Sequence, residues 1–366
     1  MHVLVIGSGI AGASVAYHLT RRGTRVTVVD AERPGPATAA GAGIVAPWAS
    51  PDERYFALAG PAATYYPELI TALAGDTPEP TSYEVVGRLI VSRSPEALDA
   101  THRRLTARAA TFPGVGEVRL LTGREPRNVV PPLAPDLCAV HVSGGARVDG
   151  RQIRASLLDA ARRRGAEVRT GTAQLGAGRV LVDGEPVGAD AVVVAAGAWS
   201  GRLVAPLGVD LPVEPQRGQI SHLRMPPGTG TAGWPVVSPL DGDHYLLAFP
   251  GDRVVVGATR ETGSGFDLRI TAAGQMQVLQ QALTLAPGLQ DATLVETRVG
   301  FRPLTPDGLP VLGPLPGHPE IVLATGFGPA GLTIAPFAGA VVAAVVLGEE
   351  PAVDLQPFRA DRFTRP

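Results

Sequence analysis

A chain of 366 residues can hold two domains with cores of their own, and 45% hydrophobic against 18% charged residues excludes a disordered chain. A formal charge of −2 excludes the basic footprint of a nucleic-acid binder, so small molecules are the expected partners. All 32 basic residues are arginine, which excludes Schiff-base and phosphate-loop lysines; the single Cys138 and seven scattered histidines exclude an intrachain disulfide, a cysteine metal cluster and an HExxH-type site.

Residues 3–6 are an apolar run of the kind that forms a strand buried on both faces. Gly7, Gly9 and Gly12 then spell GxGxxG, residues 13–22 have helical character, and a second apolar run over residues 25–29 ends in Asp30. In a strand, turn, helix and strand of this kind, Gly7 permits the tight turn and Gly9 the approach of a pyrophosphate, while Gly12 lets helix and strand pack closely. The helix N-terminus faces the phosphates, and Asp30 is placed to accept from the ribose hydroxyls of an adenosine. A dinucleotide site is expected here.

Residues 32–48 are rich in small side chains, which suits a backbone pressed against a ligand. Residues 55–74 read as a helical pair broken at Pro61 and Pro67, residues 85–92 as a strand, 95–110 as a helix and 126–135 as a proline-rich loop. A second strand and helix rhythm begins at Val148: a helix over 149–164 ended by Gly165, a strand over 167–170, and a buried strand over 191–195 that runs into Ala196, Gly197 and Trp199. A return to the nucleotide sheet this late means a cofactor domain assembled from separated segments. Residues 212–256 have β character, with strands over 218–223, 244–249 and 253–256, the last two joined as a hairpin by Pro250, Gly251 and Asp252. A helix follows over 271–285, and then two glycine-rich blocks from Val299 and Leu323. Residues 332–347 are apolar but contain Pro336 and Gly339 and are short for a span, so they read as a buried helix. The N-terminus, without a basic leader, reads as fold rather than signal peptide.

In this order, GSGIAGASVAYHL, TAAGAGIVAP, ADAVVVAAGAWSG, PQRGQ, HYLLAFPGDRVVVGAT, GFRPLTPDGLPVLG and ATGFGPAGLTIAP resemble the flavin-dependent amino-acid oxidase superfamily, which includes D-amino-acid, glycine and sarcosine oxidases. The likeness covers nearly the whole chain and is greatest to glycine oxidase. It implies an α/β fold: a Rossmann-type FAD-binding domain from discontinuous segments 1–83, 146–209 and 296–366, and an α+β substrate domain on a mainly antiparallel sheet from 84–145 and 210–295. It also implies non-covalent FAD, because the cysteine that holds flavin in sarcosine oxidase corresponds to Gly300. The lysine linked there to oxygen activation corresponds to Val255, which leaves oxidase and dehydrogenase both open.

By the same resemblance Gly7, Gly9, Ile10 and Gly12 hold the pyrophosphate and Asp30, where relatives usually have glutamate, the ribose. Thr38, Gly43 and Ile44 run beside the phosphates and flavin, Gln174 meets adenine, and Ala196, Gly197 and Trp199 lie under the diphosphate. Gly326, Gly328, Pro329, Ala330, Gly331, Leu332 and Thr333 form a glycine turn whose helix N-terminus faces the flavin pyrimidine edge, where free N–H groups would stabilise a reduced ring. Phe327, Gly328, Pro329 and Ala330 replace a polar stretch of glycine oxidase, and Pro329 has no N–H to offer.

Arg302, between apolar neighbours, carries a guanidinium fork that matches an amino-acid carboxylate, and the resemblance places the family's carboxylate anchor there. Tyr245 matches a tyrosine of the active site. Cys138 reads as a small buried side chain. The expected activity is oxidation of the C–N bond of a small amino acid such as glycine, a D-amino acid or an N-methyl amino acid, with oxygen or another electron acceptor. No metal, nucleic acid or membrane partner is expected, and the location is read as cytoplasmic. A flavin-carrying electron-relay subunit, an NAD-dependent dehydrogenase and an amine oxidase without carboxylate recognition stay open, as does a homo-oligomer.

Overall fold

The structure, a computed structural model, describes residues 1–176 and 178–363; residues 177 and 364–366 of the expected FAD-binding segments lie outside it. In chain order the strands of its two large sheets are β1 (His2–Ile6), β2 (Arg25–Asp30), β3 (Arg88–Ser92), β4 (Val118–Leu121), β5 (Cys138–Val142), β6 (Glu167–Thr170), β7 (Ala191–Val194), β8 (Glu214–Arg224), β9 (Val236–Pro239), β10 (Tyr245–Phe249), β11 (Arg253–Gly257), β12 (Thr293–Leu304), β13 (Val311–Leu315) and β14 (His318–Thr325). The longer helices are α1 (Ile10–Arg21), α2 (Glu53–Asp76), α3 (Pro95–Ala109), α4 (Gly150–Arg163), α5 (Ala272–Leu285) and α6 (Gly331–Val346).

One sheet has the order β13-β14-β7-β1-β2-β6, parallel except for β13 at its edge. Because strand side chains alternate between faces, Val3 and Val5 of β1 enter a core with α1, α4 and α6, while Leu4 and Ile6 enter another with Leu175 and Val182 of a small antiparallel sheet. A strand buried on both faces has to be apolar throughout, which is why β1 and β7 read as unbroken runs. This is a Rossmann-type layer, built from chain segments far apart in sequence.

Helix α6 together with the turn before it, Gly328–Val346, is apolar and long enough to cross a membrane, but 67% of that stretch is buried and α6 packs against α1 and α2. Its closeness to α1 depends on Gly339, where a Cβ would lie 2.2 Å from Ser14 Oγ. Pro336 has no N–H, so the Leu332 carbonyl loses its helical donor; the Tyr66 hydroxyl of α2 donates to that carbonyl instead. Ser14 Oγ donates to the Pro336 carbonyl at 2.7 Å.

Three expectations need correction. Residues 53–76 form one helix with Pro61 and Pro67 inside it, not a broken pair. Asp52 caps this helix, and Phe56, Leu58, Tyr66, Leu69 and Leu73 are all buried along it; at about 1.5–3 kcal/mol each, their burial outweighs the roughly 3 kcal/mol that an interior proline costs. The strand expected over 85–92 is interrupted at Gly87, with φ +84°: Glu84–Val85 pairs with Ala146–Arg147, and only β3 enters the large antiparallel sheet. The proline-rich loop opens with a short helix, Glu125–Val129.

The second sheet has the order β12-β8-β11-β10-β9-β3-β5-β4 and is antiparallel except where β9 meets β3. The expected hairpin joins β10 to β11. One face packs on α5 through Val254, Val256 and Val278; the other, with Ile220, Val236 and Leu247, meets Ala42 and Ile44 from the small-residue segment. The boundary placed at residue 296 cuts through β12, whose register with β8 runs from Leu304↔Glu214 to Thr293↔Arg224. Residues 296–304 are therefore hydrogen-bonded into the antiparallel sheet.

Candidate active site

Between the two sheets lies one cavity of about 1200 Å³, more than the roughly 300–1000 Å³ of an ordinary small-molecule site. Of the residues expected to meet cofactor or substrate, Gly12 and Gly326 do not line it and the others do. Gly12 packs on the turn itself, where a Cβ would come within 1.8 Å of the Gly7 carbonyl oxygen, and Gly326, at φ +74°, is hemmed in by Thr305 and Val311.

The remaining glycines divide by what surrounds them. Gly7, at φ +103°, would push a Cβ to 2.4 Å from the Ala195 carbonyl oxygen, and Gly43, at φ +95°, to 1.7 Å from that of Val148. Gly9 is different: its backbone is extended, with φ −61° and ψ −178°, and the nearest atom to a Cβ there would be Thr38 Oγ1 at an ordinary 3.4 Å. Gly331 opens α6 in helical conformation, with only Phe327 Cβ nearby at 3.7 Å. Neither backbone requires glycine, and the space left vacant belongs to the cavity.

The first turns of α1 and α6 both reach the cavity, and neither helix has a side-chain cap. The Ile10 N–H donates to Thr38 Oγ1 at 3.0 Å, and Thr333 Oγ1 donates to the Ile44 carbonyl at 2.8 Å, tying α6 to the small-residue segment. Asp30 accepts from the Ser8 N–H and hydroxyl and from the Glu32 N–H, each at 2.6 Å. Burial works against its charge, but these bonds prevail and hold its pKa below the usual carboxylate value. Gln174 sits in the small strand Ala173–Gly176, and Ala196 and Gly197 follow β7 directly. Trp199 stacks on Phe266 at 4.9 Å between ring centroids. At Gly300 a Cβ would strike Ala40 Cβ at 2.6 Å, while Val255 is core and does not line the cavity.

Arg302 projects from β12 on the opposite wall. Its Nη1 donates to the Thr259 carbonyl at 2.9 Å and to Gln216 Oε1 at 3.5 Å, and no carboxylate among the described residues pairs with it. The guanidinium lies flat over Gly218, where any Cβ would meet it at 2.5–2.6 Å. Thr259 is held in turn by Glu261, which accepts from its hydroxyl and from Arg217. Burial lowers the Arg302 pKa, the neighbouring Tyr245 working the other way. Tyr245 has its own pKa pushed up to about 12 by burial, so it is a neutral donor, and its hydroxyl has no hydrogen-bond partner among the described residues.

Sequence reasoning missed Arg88, Tyr55, Arg104, His244 and Arg260, which line the same cavity. Nothing in their spacing marks them; a lone arginine at a strand start reads as solvated, and only the tertiary fold encloses it. Arg260 is paired with Asp243 at 2.8 Å.

Over residues 2–345 the chain matches the family described as FAD dependent oxidoreductase. It is 44% identical over 363 residues to an uncharacterized oxidoreductase of Bacillus subtilis (strain 168), with 97% of each chain aligned. To the glycine oxidase of Geobacillus kaustophilus (strain HTA426) it is 32% identical over 379 residues, covering 98% of this chain and 96% of that one. The crystal structure of iminodiacetate oxidase from Chelativorans sp. BNC1 superposes with a TM-score of 0.94 at 47% identity, over 98% of both chains. With family, fold and cavity in agreement from end to end, this chain belongs to the FAD-dependent oxidoreductases and is an enzyme of that family.

Proposed function

We propose that the enzyme oxidises the C–N bond of a small amino acid such as glycine, a D-amino acid or an N-methyl amino acid. The observation that carries this reading is Arg302: a half-buried guanidinium on the cavity wall, with no carboxylate partner among the described residues, beside a tyrosine hydroxyl that likewise has none. A cation that loses its water when the cavity fills needs a counter-ion, and a substrate carboxylate supplies one. Two relatives carry names for oxidases of small amino carboxylates, which supports the reading.

The cavity fits the family's cofactor, on the evidence of Gly9 and Gly331: both leave open the space a side chain would fill, each at the start of a helix whose N–H groups attract negative charge. In this reading Gly7, Gly9, Ile10 and Thr38 cradle the pyrophosphate, Asp30 takes the ribose and Gln174 the adenine. Gly43, Ile44, Ala196, Gly197 and Trp199 flank the phosphates and ring, and Gly328 to Thr333 face the ring's pyrimidine edge. FAD bound there would supply the two-electron acceptor for a hydride from the carbon beside the substrate nitrogen, with oxygen or another acceptor as the final oxidant and water hydrolysing the resulting imine. The chain contributes orientation: Arg302 and Tyr245 fix the carboxylate, and Gly218 with Thr259 fixes Arg302. The enzyme is cytoplasmic in this reading, and its FAD is non-covalent, since a side chain at Gly300 would collide with Ala40.

The test is anaerobic mixing of the purified holoenzyme with a panel of amino acids and of the matching amines without carboxylates, following flavin bleaching, then admitting air. Amino acids should bleach the flavin and the carboxylate-free amines should not. Preference for the amines would replace this reading with a simple amine oxidase. Acid precipitation of the same sample should leave all flavin in the supernatant.

A further inference from the structure

The cavity wall carries a second half-buried cation with no carboxylate partner among the described residues. Arg88, at the start of β3, donates from Nη1 to the Ala46 carbonyl at 2.7 Å, and from Nε and Nη2 to Ser238 Oγ at 3.3 and 2.8 Å. These acceptors are neutral, and they leave N–H groups of the fork unspent. Beside it Tyr55 lines the cavity with its pKa raised to about 12 by burial, hence uncharged. Arg104 lines the same lobe, and its Nε is buried without a hydrogen-bond partner.

The rest of the chain treats buried arginines differently. Arg108 pairs with Glu53, Arg147 with Glu84 and Arg217 with Glu261 and Asp267. The cavity wall carries six arginines against two aspartates, Asp30 and Asp243. The first is spent on Ser8 and the Glu32 N–H, the second on Arg260. Arg88, Arg104 and Arg302 are thus half-buried arginines of the wall that no carboxylate among the described residues neutralises.

Their spacing sets the size of that partner. The Arg302 guanidinium lies over Gly218 of β8 and touches Thr259 just past β11; that of Arg88 lies against Ser238 of β9. In the order β8-β11-β10-β9 this is two to three interstrand steps of about 4.8 Å, and the register offsets the two ends by two residues of about 3.4 Å along the strands, roughly 12–16 Å in all. With a carboxylate bidentate on each fork at about 2.8 Å, some 4–8 Å remains between the two carboxylate carbons, a range that includes a CH₂–NH–CH₂ unit.

We propose that the substrate is a small secondary amine with a carboxylate on either side, an N-carboxymethyl amino acid, held by Arg302 and Tyr245 at one end and by Arg88 with Arg104 at the other. This rests on the reading of Arg302 given above. A monocarboxylate covers Arg88 without supplying it an anion, so the second anchor selects against it.

The test compares iminodiacetate with sarcosine in anaerobic flavin reduction by the holoenzyme. Wild type should reduce roughly 10²-fold faster, in second-order terms, with iminodiacetate, and Arg88→Ala should lower that ratio about 10²-fold. Arg88→Lys keeps the charge but not the fork, so its ratio should fall between the two; it also serves if the alanine variant does not fold. Calorimetry with diglycolate, which has an ether oxygen in place of the amine and cannot be oxidised, gives a readout independent of turnover: Arg88→Ala should weaken its binding at least about 30-fold more than that of acetate. An unchanged ratio in both variants, or a wild type that prefers sarcosine, overturns the second anchor while Arg302-dependent oxidation of amino acids stands. If no amino carboxylate reduces the flavin, the proposed function falls and this inference with it.

Discussion

The glycines of the first turn separate two kinds of constraint that a motif merges. Gly12→Ala would drive a methyl group into the Gly7 carbonyl oxygen, so that variant should fail to fold or be strongly destabilised. Gly9→Ala meets only an ordinary contact with Thr38 and adopts a backbone open to any residue, so it should fold normally and lose its FAD. Flavin absorbance and melting temperature, measured on both, check this; a Gly9→Ala protein with full flavin content would move the phosphate site elsewhere. Arg302→Ala should lower the second-order rate of flavin reduction by roughly 10²- to 10³-fold or more, from about 3–5 kcal/mol of lost pairing, with Arg302→Lys intermediate. Without substrate, Arg302 is a desolvated cation held by a carbonyl and an amide, so its removal should not lower the melting temperature; stopped-flow reduction and thermal melts read the two effects separately. That Gly9 and Arg302 lie on the cavity wall could be anticipated from the sequence, the first because a turn motif carries its geometry locally, the second only through the family resemblance. Arg88 could not, because what makes it unusual is the absence of a carboxylate, and absence is a property of the folded surroundings.

Helix α6 shows how an element survives a residue that should break it. Pro336 orphans the Leu332 carbonyl, and Tyr66 of α2 satisfies it across the helix contact. Tyr66→Phe keeps the ring, its stacking on Tyr83 and the packing, but removes the donor; it should destabilise by about 1–3 kcal/mol in chemical denaturation, the cost of an unsatisfied buried acceptor. A shift within a few tenths of a kcal/mol would mean that water reaches the carbonyl. The same principle explains where the sequence reading of α2 failed. Proline is a local signal of interruption, whereas the buried face that holds residues 53–76 together lies against α6, far along the chain. Strand identities were legible from apolar runs and turn residues. The full extent of β12 was not, because its first residues are exposed and the strand continues into the glycine-rich block.

At the scale of the molecule, two histidines set an acid limit to stability. Burial holds the pKa of His18 down to about 3 and that of His222 to about 4, and both ring nitrogens of His222 are buried without partners. The unfolded chain protonates each near pH 6.5, so it binds more protons than the folded one below that value. The stabilisation is therefore fully present above pH 6.5 and is lost as pH falls toward 4, by about 1.4 kcal/mol per unit for each residue. Carboxylates with lowered values add to the loss only near and below their unfolded values of about 4. His222→Leu should flatten the slope between pH 6 and 4.5 by on the order of 1–2 kcal/mol in total, measured by urea unfolding across that range. An unchanged acid limb would show that His222 protonates in place.

The order of strands in the parallel sheet also fixes when this protein can exist. β1 is complete at residue 6 and finds β2 at once, but its other neighbour, β7, begins at residue 191, and β14, which covers β7, begins at residue 318. At about 5–20 residues per second, a ribosome takes roughly 15–60 s to reach β14. Throughout that time the nascent chain carries an all-apolar strand with one edge unpaired, and the second helix that faces the cavity has yet to be made. The cavity therefore has its full wall only after residue 333 has been made, and the interval before that is when the chain most needs shelter from its own copies.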